Sequence, residues 1–296
     1  MDINNLQAFI EVAERKSFSK SAESLKLTQP AVSKRIAALE SELDSRLFDR
    51  VGRSVHLTEV GKVLLPSALK ISSEVSRIES EIVSLGSVVA GKLAIGAAEH
   101  VGLEKLAKML RAYKENYPDV ELDVQFLNAN DALTKIENGV LDLCLRSVSG
   151  NVNGDNSHSN LINVQAWEEK LQVVAEKNHP LADKNSVTIA ELAGYPGILP
   201  QQNSAIRQSI DRLMTKNSVN ANVAMEALDF QIIRSMAVVG LGWAFLPVSE
   251  LDDDNLVKID MADLHSGYTV ALVRDPNRSM SRAARAFVTS LPSQLI

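Results

Sequence analysis

The sequence predicts a mixed α/β protein in three parts: a small helical domain that ends in a β-hairpin, one long helix, and two linked α/β lobes. Three observations support this prediction. Apolar residues recur at helical spacing over residues 3–43, with capping residues between the runs. An apolar seam that steps by three and four residues then extends over residues 64–89. From Gly91 onward, short apolar strands alternate with helical patterns.

Composition and length indicate a globular protein of two or three domains. The chain has 296 residues, of which 45% are hydrophobic and 23% are charged. Its apolar runs are shorter than the ~20 residues of a membrane span, and the N-terminus lacks a signal-peptide pattern, so we expect a cytoplasmic protein without a membrane partner. The single cysteine, Cys144, excludes an internal disulfide and a zinc site built from several cysteines.

Charge is distributed unevenly along the chain. The net charge is −6, but residues 1–58 carry nine Lys or Arg residues against eight Asp or Glu residues. The acidic excess therefore lies in the remainder of the chain. Because the N-terminal basic character is mild, DNA binding would need good geometry or more than one copy of the domain.

The first element is an amphipathic helix over residues 3–14. Ser19 is the expected N-cap of a short second helix, residues 20–25. After a three-residue turn, Thr28 caps a third helix that runs to about Leu43. Two helices joined by so short a turn form a helix-turn-helix.

Polar chemistry at the start of the third helix suits DNA. In this motif the N-terminal part of the second helix meets base edges in the major groove. Gln pairs with adenine, Ala and Pro contact a thymine methyl, Lys and Arg reach guanine or phosphate, and hydroxyls cap helices or contact phosphate. A surface helix with polar decoration is the alternative. The residues expected to contact DNA are Ser19, Thr28, Gln29, Pro30, Ala31, Ser33, Lys34 and Arg35.

A β-hairpin is predicted next, from the strands "LFDR" and "VHLT" with Gly52 at the tip. Arg50 and Arg53 lie at this tip, where an arginine can enter a narrow minor groove or pair with phosphate. A hairpin tip that contacts only solvent is the alternative. Beside a helix-turn-helix, the hairpin is expected to act as a wing.

The clearest periodicity of the chain predicts a long helix over residues 58–90, with Pro66 either kinking it or delaying its start. Such a narrow apolar face beside a DNA-binding domain predicts a dimer, whereas a helix packed on its own domain is the alternative. The seam consists of Leu64, Ala68, Ile71, Val75, Ile78, Ile82, Leu85 and Val89.

Two α/β sets follow this helix. The first reads strand, helix, strand, helix, strand through "KLAIGAA", "GLEKLAKMLRAYKENYP", "VELDVQF", "ALTKIENG" and "LDLCL", and predicts a parallel sheet. Residues 149–160 are expected to be a loop. The second set runs through "EKLQVVAEK", "TIAELAG", "GILP", a helix near residues 205–213, "VAMEA", "FQIIRSMAVVG" and "GWAFLP", and the chain closes with "GYTVALVRD" and "RAARAFVTSL". Ligands of such sheets bind at the carboxyl ends of the strands.

The whole chain resembles the LysR-type transcriptional regulators. The most specific stretch is "LQAFIEVAERKSFSKSAESLKLTQPAVSKRIAALESELDSRLFDRVGRSVHLTEVG", and the resemblance continues through "LRAYKENYPDVELDV", "ENGVLDLCL", "HPLA" and "VVGLGWAFLP". It implies a winged helix-turn-helix over 1–58, a linker dimerisation helix over 59–90 and a periplasmic-binding-protein-like effector domain over 91–296. Lobe I would comprise 91–163 and 267–296, and lobe II would comprise 164–266.

The resemblance also implies a function. We expect a ligand-responsive, sequence-specific regulator that activates or represses transcription and regulates its own gene. Its expected partners are double-stranded operator DNA, a small-molecule effector, further copies of itself in a homodimer or homotetramer, and RNA polymerase as a candidate. No cofactor, metal or enzymatic activity is expected.

The effector loops implied by the resemblance follow the strands of the two lobes. Asn130, at a helix N-terminus, suits an anion, and His100 would add a proton-dependent contact. Two residues depart from the family pattern. Glu99 disfavours a simple carboxylate ligand, and Trp243, in place of a smaller aliphatic residue, is expected to fill part of the cleft and leave a small or partly closed pocket. The expected effector-binding residues are Ala98, Glu99, His100, Asn128, Asn130, Pro200, Gln201, Gln202, Asn203, Ser204 and Phe230.

Other readings of the chain remain open at this point. An architectural DNA-binding protein whose α/β part serves only oligomerisation is the main alternative. An enzyme or a transport-type binding protein is a third, disfavoured by the absence of a catalytic constellation and of a signal peptide. Some relatives sense oxidants through cysteine, but an alternating strand such as "LDLCL" favours a core role for Cys144.

Overall fold

The computed structural model describes eight stretches of the chain, residues 1–51, 54–83, 88–98, 101–148, 160–202, 204–251, 255–261 and 267–291. The chain forms two compact units. One consists of residues 1–87 with 137–140, and the other of residues 88–136 with 141–296.

The first unit begins with three helices whose starts are set by short polar side chains. Asp2, Ser17 and Thr28 are the N-caps, and each accepts a hydrogen bond from a backbone N–H in the first turn. The predicted cap at Thr28 is therefore confirmed. The helices are α1 (Ile3–Arg15), α2 (Phe18–Ser24) and α3 (Gln29–Glu42).

The prediction that Ser19 caps the second helix is wrong. Ser17 is extended and accepts the Lys20 N–H at 3.4 Å, whereas Ser19 lies inside α2. Both serines have equal capping chemistry, so packing decides between them. Starting the helix at Phe18 brings its ring within 5.9 Å of the ring of Phe48, in the core of this unit.

The predicted hairpin is confirmed as β1 (Phe48–Val51) and β2 (Ser54–Leu57), which pair antiparallel. Helix α4 (Glu59–Val83) follows at once and runs through Pro66. The proposed late start at this proline is therefore wrong. Gly61 holds the beginning of α4 close to the hairpin, because a Cβ at this position would lie 2.4 Å from the carbonyl oxygen of Leu47.

The apolar seam of α4 changes its environment along the helix. Ala68 is fully buried and Leu64 packs against the core formed by α1 to α3. Ile71, Ile78 and Ile82 are exposed in the single chain, at 44%, 46% and 62%. The first part of the seam thus packs on its own unit, while Ile71, Ile78 and Ile82 present an uncovered apolar face. The prediction that the seam continues to Val89 is wrong, because Val89 lies beyond the helix and packs against the core of the second unit.

The second unit is built on one sheet, for which nine strands are found in the described residues. Their order is β4-β3-β5-β11-β6-β9-β7-β8, with β10 paired to β6. The strands are β3 (Gly91–Ala97), β4 (Val120–Phe126), β5 (Leu143–Val148), β6 (Ile162–Glu176), β7 (Gly197–Pro200), β8 (Val223–Ala227), β9 (Trp243–Pro247), β10 (Leu256–Ile259) and β11 (Gly267–Arg274). The helices are α5 (Leu103–Asn116), α6 (Ala129–Glu137), α7 (Ile189–Ala193), α8 (Ala205–Lys216), α9 (Phe230–Val238) and α10 (Arg282–Ser290).

The predicted parallel arrangement of the first set is confirmed, since β3 pairs parallel with both β4 and β5. Two features were not predicted. No element was predicted for the residues of strand β10, and β6 begins seven residues before the predicted start at Glu169. Residues 162–170 of β6 pair with β11 in lobe I, whereas residues 171–176 pair with β9 and β10 in lobe II.

No helix within the described residues is both long and apolar enough to cross a membrane. Cys144 is fully buried in β5, as its strand pattern predicted, with its sulfur 3.5 Å from the Leu145 carbonyl oxygen. The loop prediction for 149–160 falls almost wholly outside the described residues.

Candidate functional site

Helix α3 is anchored by one face and presents the other. Val32, Ile36 and Leu39 recur at helical spacing and are buried in the core of the first unit. The opposite face of its first two turns is solvent-accessible. Thr28, Gln29, Pro30 and Lys34 are exposed, and Ala31, Ser33 and Arg35 are half-buried.

Ser19 and Gln29 join the two helices of the motif. The Ser19 hydroxyl donates to Gln29 Oε1 at 3.4 Å, across the turn between α2 and α3. This contact leaves the Gln29 amide nitrogen available as a donor. The structure therefore brings two of the predicted residues into contact across the turn.

The wing is only partly described. Arg53 and Gly52 lie outside the described residues, and the side chain of Arg50 does as well. The sequence reasoning missed Arg46, which lines a groove of about 530 Å³ between α3 and β1 together with Ser33 and Glu40. Its position in the sequence could have indicated a DNA contact, because Arg46 is a basic residue directly before the predicted wing strand "LFDR".

The second unit contains a cavity of about 400 Å³ at the carboxyl ends of β3 and β4 and at the start of α9. This is the position expected for a ligand of an open α/β sheet. Its lining residues are Ala97, Ala98, Val101, Gly102, Leu103, Phe126, Leu127, Asn128, Leu228, Asp229, Phe230 and Gln231.

Three predicted effector residues, Ala98, Asn128 and Phe230, lie in this lining. Asn130 is exposed in the first turn of α6 and does not line the cavity. Glu99, His100 and Asn203 lie outside the described residues. Most of the cavity residues that the sequence reasoning missed are apolar, although Gln231 is polar. The aromatic Phe126 at the end of the predicted strand "VELDVQF" was the clearest sequence signal for them.

The described residues of the predicted loop, 200–202 and 204, do not line this cavity, and the polar groups of Pro200 and Ser204 serve the fold. The Pro200 carbonyl accepts from Arg207 Nη1 at 3.1 Å, and Ser204 caps α8 by accepting the Arg207 N–H at 3.1 Å. Gln201 and Gln202 are exposed and line no part of this cavity.

The expectation that Trp243 fills part of the cleft is wrong. Trp243 is fully buried, and its Nε1 donates to the Tyr195 carbonyl at 2.8 Å. Its ring lies against Gly197, where a Cβ would come within 2.6 Å of Cζ2. The indole therefore belongs to the core of lobe II and does not line the cavity.

The polar groups of the cavity wall are largely engaged. Asp229 Oδ1 accepts the Ile232 N–H at 2.9 Å and caps α9. Asn128 Oδ1 accepts the Asp131 N–H at 2.9 Å at the start of α6. Helix α5 differs from α6 and α9, because its N-cap residue is Gly102 and no side-chain oxygen of that residue accepts a first-turn N–H.

A buried carboxylate lies beside the start of α5. Glu169 of β6 is 6% exposed, and its Oε1 is 3.5 Å from Lys105 Nζ, a long ion pair without hydrogen-bond geometry. Its Oε2 accepts from Ser249 Oγ at 3.1 Å. Lys105 also stands 5.0 Å above the Trp167 ring. Glu169 thus connects α5 of lobe I with the turn that follows β9 of lobe II.

Within the described residues there is no cluster of three or more His, Cys, Asp or Glu side chains that could hold a metal ion. His179 is nearly buried, and its Nδ1 accepts the Leu181 N–H at 3.2 Å. It therefore has a structural partner. His158 and His265 lie outside the described residues.

Two family models match the chain. Residues 3–62 match "Bacterial regulatory helix-turn-helix protein, lysR family", and residues 86–295 match "LysR substrate binding domain". Among curated proteins, the chain is 30% identical to a probable RuBisCO transcriptional regulator of Cyanophora paradoxa, over 96% of this chain and 89% of that protein. It is 28% identical to an uncharacterized HTH-type transcriptional regulator, YybE, of Bacillus subtilis, over 97% of both chains.

Solved structures show the same fold. A full-length OxyR variant from Pseudomonas aeruginosa superposes with a TM-score of 0.73 at 20% identity, covering 98% of this chain and 97% of that chain. Full-length CbnR in complex with its target DNA superposes with a TM-score of 0.73 at 16% identity, covering 98% of this chain and 99% of that one.

Proposed function

The chain belongs to the LysR family of bacterial helix-turn-helix transcriptional regulators, and on that premise we propose how it binds DNA and its effector. Helix α3 enters the major groove of an operator, and a small molecule in the cavity of the second unit controls the outcome. The observation that carries this proposal is the exposed polar face of α3 opposite its buried apolar stripe.

The proposed division of labour on DNA follows from side-chain chemistry. Gln29 reads a base edge, with Pro30 and Ala31 as apolar contacts to a thymine methyl. Ser19, Thr28 and Ser33 contact phosphate or fix the helix ends, and the cations contribute affinity that falls with salt. These cations are Lys34 and Arg35 on α3, with Arg50 and Arg53 of the wing.

We propose that residues 1–58 bind DNA, that residues 59–90 form the linker, whose described helix is α4 (Glu59–Val83), and that residues 91–296 bind the effector. The linker helix would pair two copies of the chain through its exposed isoleucines, and two such dimers would form a tetramer. An effector can change transcription only if it prefers one arrangement of the assembly. We further propose a cytoplasmic protein that catalyses no reaction.

The first test is a footprint of the purified full-length protein on the DNA upstream of its own gene. It should be run at a fixed ~150 mM salt with excess competitor, because affinity without a stated salt concentration is uninterpretable. We expect a long protected region with two separated sites. Protection that competitor erases would contradict a specific regulator and favour an architectural protein.

Two variants distinguish residues that recognise bases from residues that contact the phosphate backbone. Gln29→Ala should reduce the preference for one base at one position of the operator. It should also weaken the binding free energy on the cognate sequence by about 1–3 kcal/mol. Arg53→Ala should weaken binding on all sequences alike. It should also reduce the slope of log affinity against log salt concentration by about one. Binding titrations on a panel of single-base operator variants at several salt concentrations measure both effects. Equal loss on every sequence for both variants would contradict the assigned roles.

A further inference from the structure

The cavity of the second unit is lined mainly by apolar side chains. Phe126 is 64% exposed at the end of β4, and Leu228 is 53% exposed before α9. These large apolar side chains gain from a ligand that covers them. Val101, Leu103, Leu127 and Phe230 complete this apolar wall.

The electrostatics of the wall disfavour an anion. Asp229 is the charged side chain among the described lining residues, and neither a lysine nor an arginine occurs among them. The nearby cation Lys105 is already paired with the buried Glu169, at 3.5 Å. An anionic ligand would therefore lose hydration next to a carboxylate, and the described lining residues offer no cation to compensate for the loss.

The helix starts around the cavity do not restore an anion site. Asn128 and Asp229 already accept first-turn N–H groups of α6 and α9. At α5, Glu169 Oε1 lies 3.5 Å from the place where a Cβ of Gly102 would stand, so a carboxylate of the protein is already close to that start. The positive ends of three helices are thus faced by oxygen atoms of the chain itself.

We propose that the effector of this protein is a compact apolar molecule with a ring-sized body and a cationic or hydrogen-bond-donating group directed at Asp229. This differs from the anion that was expected from the sequence at Asn130. The inference rests on the proposed function, because it takes this cavity for the effector site. A cavity of about 400 Å³ lies at the small end of the range for ligand sites and accommodates one ring with a short substituent.

The test uses benzylamine, benzyl alcohol and benzoate, in which the ring stays constant and only the polar group changes. Binding to the full-length protein is measured by equilibrium dialysis and by thermal shift at fixed ionic strength. We expect benzylamine to bind at least about tenfold tighter than benzoate, with benzyl alcohol between them.

Two variants locate the binding site and its charge. Asp229→Asn keeps an N-cap for α9 but removes the charge, so it should reduce the preference for benzylamine over benzoate by about tenfold. Phe126→Ala should weaken all three compounds by about tenfold. The matched controls are Asp119→Asn and Val239→Ala, which change an exposed carboxylate and an exposed apolar side chain outside the cavity. Both controls should bind as the wild type does.

Three results would overturn the proposal: benzoate binding as tightly as benzylamine, no binding of any of the three at millimolar concentration, or binding that Phe126→Ala leaves unchanged. None of these depends on DNA. A failed footprint together with ring binding would remove the proposed regulatory role and leave the ligand chemistry in place, so the two failures are distinguishable.

Discussion

At the level of single residues, burial determines the reactivity of the one cysteine, Cys144. Cys144 is fully buried, and desolvation raises the pKa of its thiol to about 12. Because the thiolate is the reactive form, almost none of it is present at neutral pH.

We therefore expect Cys144 to resist oxidants in the native protein. A thiol reagent such as DTNB should label it only after unfolding, and mild peroxide should leave operator binding unchanged in both the wild type and Cys144→Ala. Rapid labelling of the native protein, or a peroxide effect on binding that Cys144→Ala abolishes, would contradict this expectation.

His179 predicts a dependence of stability on pH. Burial lowers its pKa below the ordinary 6.5, with the carboxylate of Glu176 partly opposing the shift. The unfolded chain then takes up the proton first, so stability is full above about pH 6.5 and is lost as the pH falls through this value. Urea unfolding should give a free energy that decreases between about pH 7.5 and 5.5. His179→Gln should flatten this decrease, and a slope as steep as that of the wild type would argue against the assignment.

Single residues also mark where sequence reasoning succeeded and where it could not. Thr28 was predicted correctly because no competing cap lies near it. Ser17 and Ser19 have the same chemistry, and only the packing of Phe18 on Phe48 distinguishes them. Trp243 was expected in the cleft, but a tertiary contact with Gly197 directs its ring into the core. Contacts between residues far apart in the sequence decide such cases.

At the level of elements, one buried guanidinium ties three segments of lobe II together. Arg207 of α8 donates to Asp211 at 2.9 Å, to Glu226 of β8 at 2.7 Å and to the Pro200 carbonyl at the end of β7. A side chain that is 7% exposed and has all these partners fixes the helix against two strand ends.

Arg207→Met should consequently lower the free energy of unfolding by about 2 kcal/mol, because it leaves acceptors in and near the core without a donor. Arg212→Met removes an exposed arginine from the same helix and should change stability little. Chemical denaturation of both variants measures the difference. Equal stability of the two would show that the Arg207 network contributes nothing.

The same scale shows why some strands escaped prediction. The start of β6, "INVQAWEE", is too polar for a simple apolar run, and its strand conformation follows from pairing with β11. The four residues of β10 likewise depend on pairing with β6. By contrast, β3, β4 and β5 were recognisable from their own residues, because their apolar residues and the turn residues before them, Gly91, Pro118 and Gly139, already define them.

At the level of the whole molecule, the uncovered apolar face of α4 predicts that the helix packs against a second copy of the chain. Ile71, Ile78 and Ile82 recur at coiled-coil spacing and are exposed in the single chain.

Ile78→Asp should therefore weaken self-association by at least about tenfold, because it places a charge in the middle of this face. Sedimentation velocity over a range of concentrations measures the change. Ser76→Asp adds the same charge to an exposed position of α4 outside the seam and should leave association intact. Dissociation by both variants to the same extent would mean that the seam is not the interface.

Strand β6 has a consequence for anyone who wishes to build biosensors from this scaffold. Because one continuous strand completes the hydrogen bonding of both lobes, a recombination point between the lobes would leave one of them with a bare sheet edge, which invites aggregation. Chimeras with new ligand responses should therefore exchange both lobes as a single cassette.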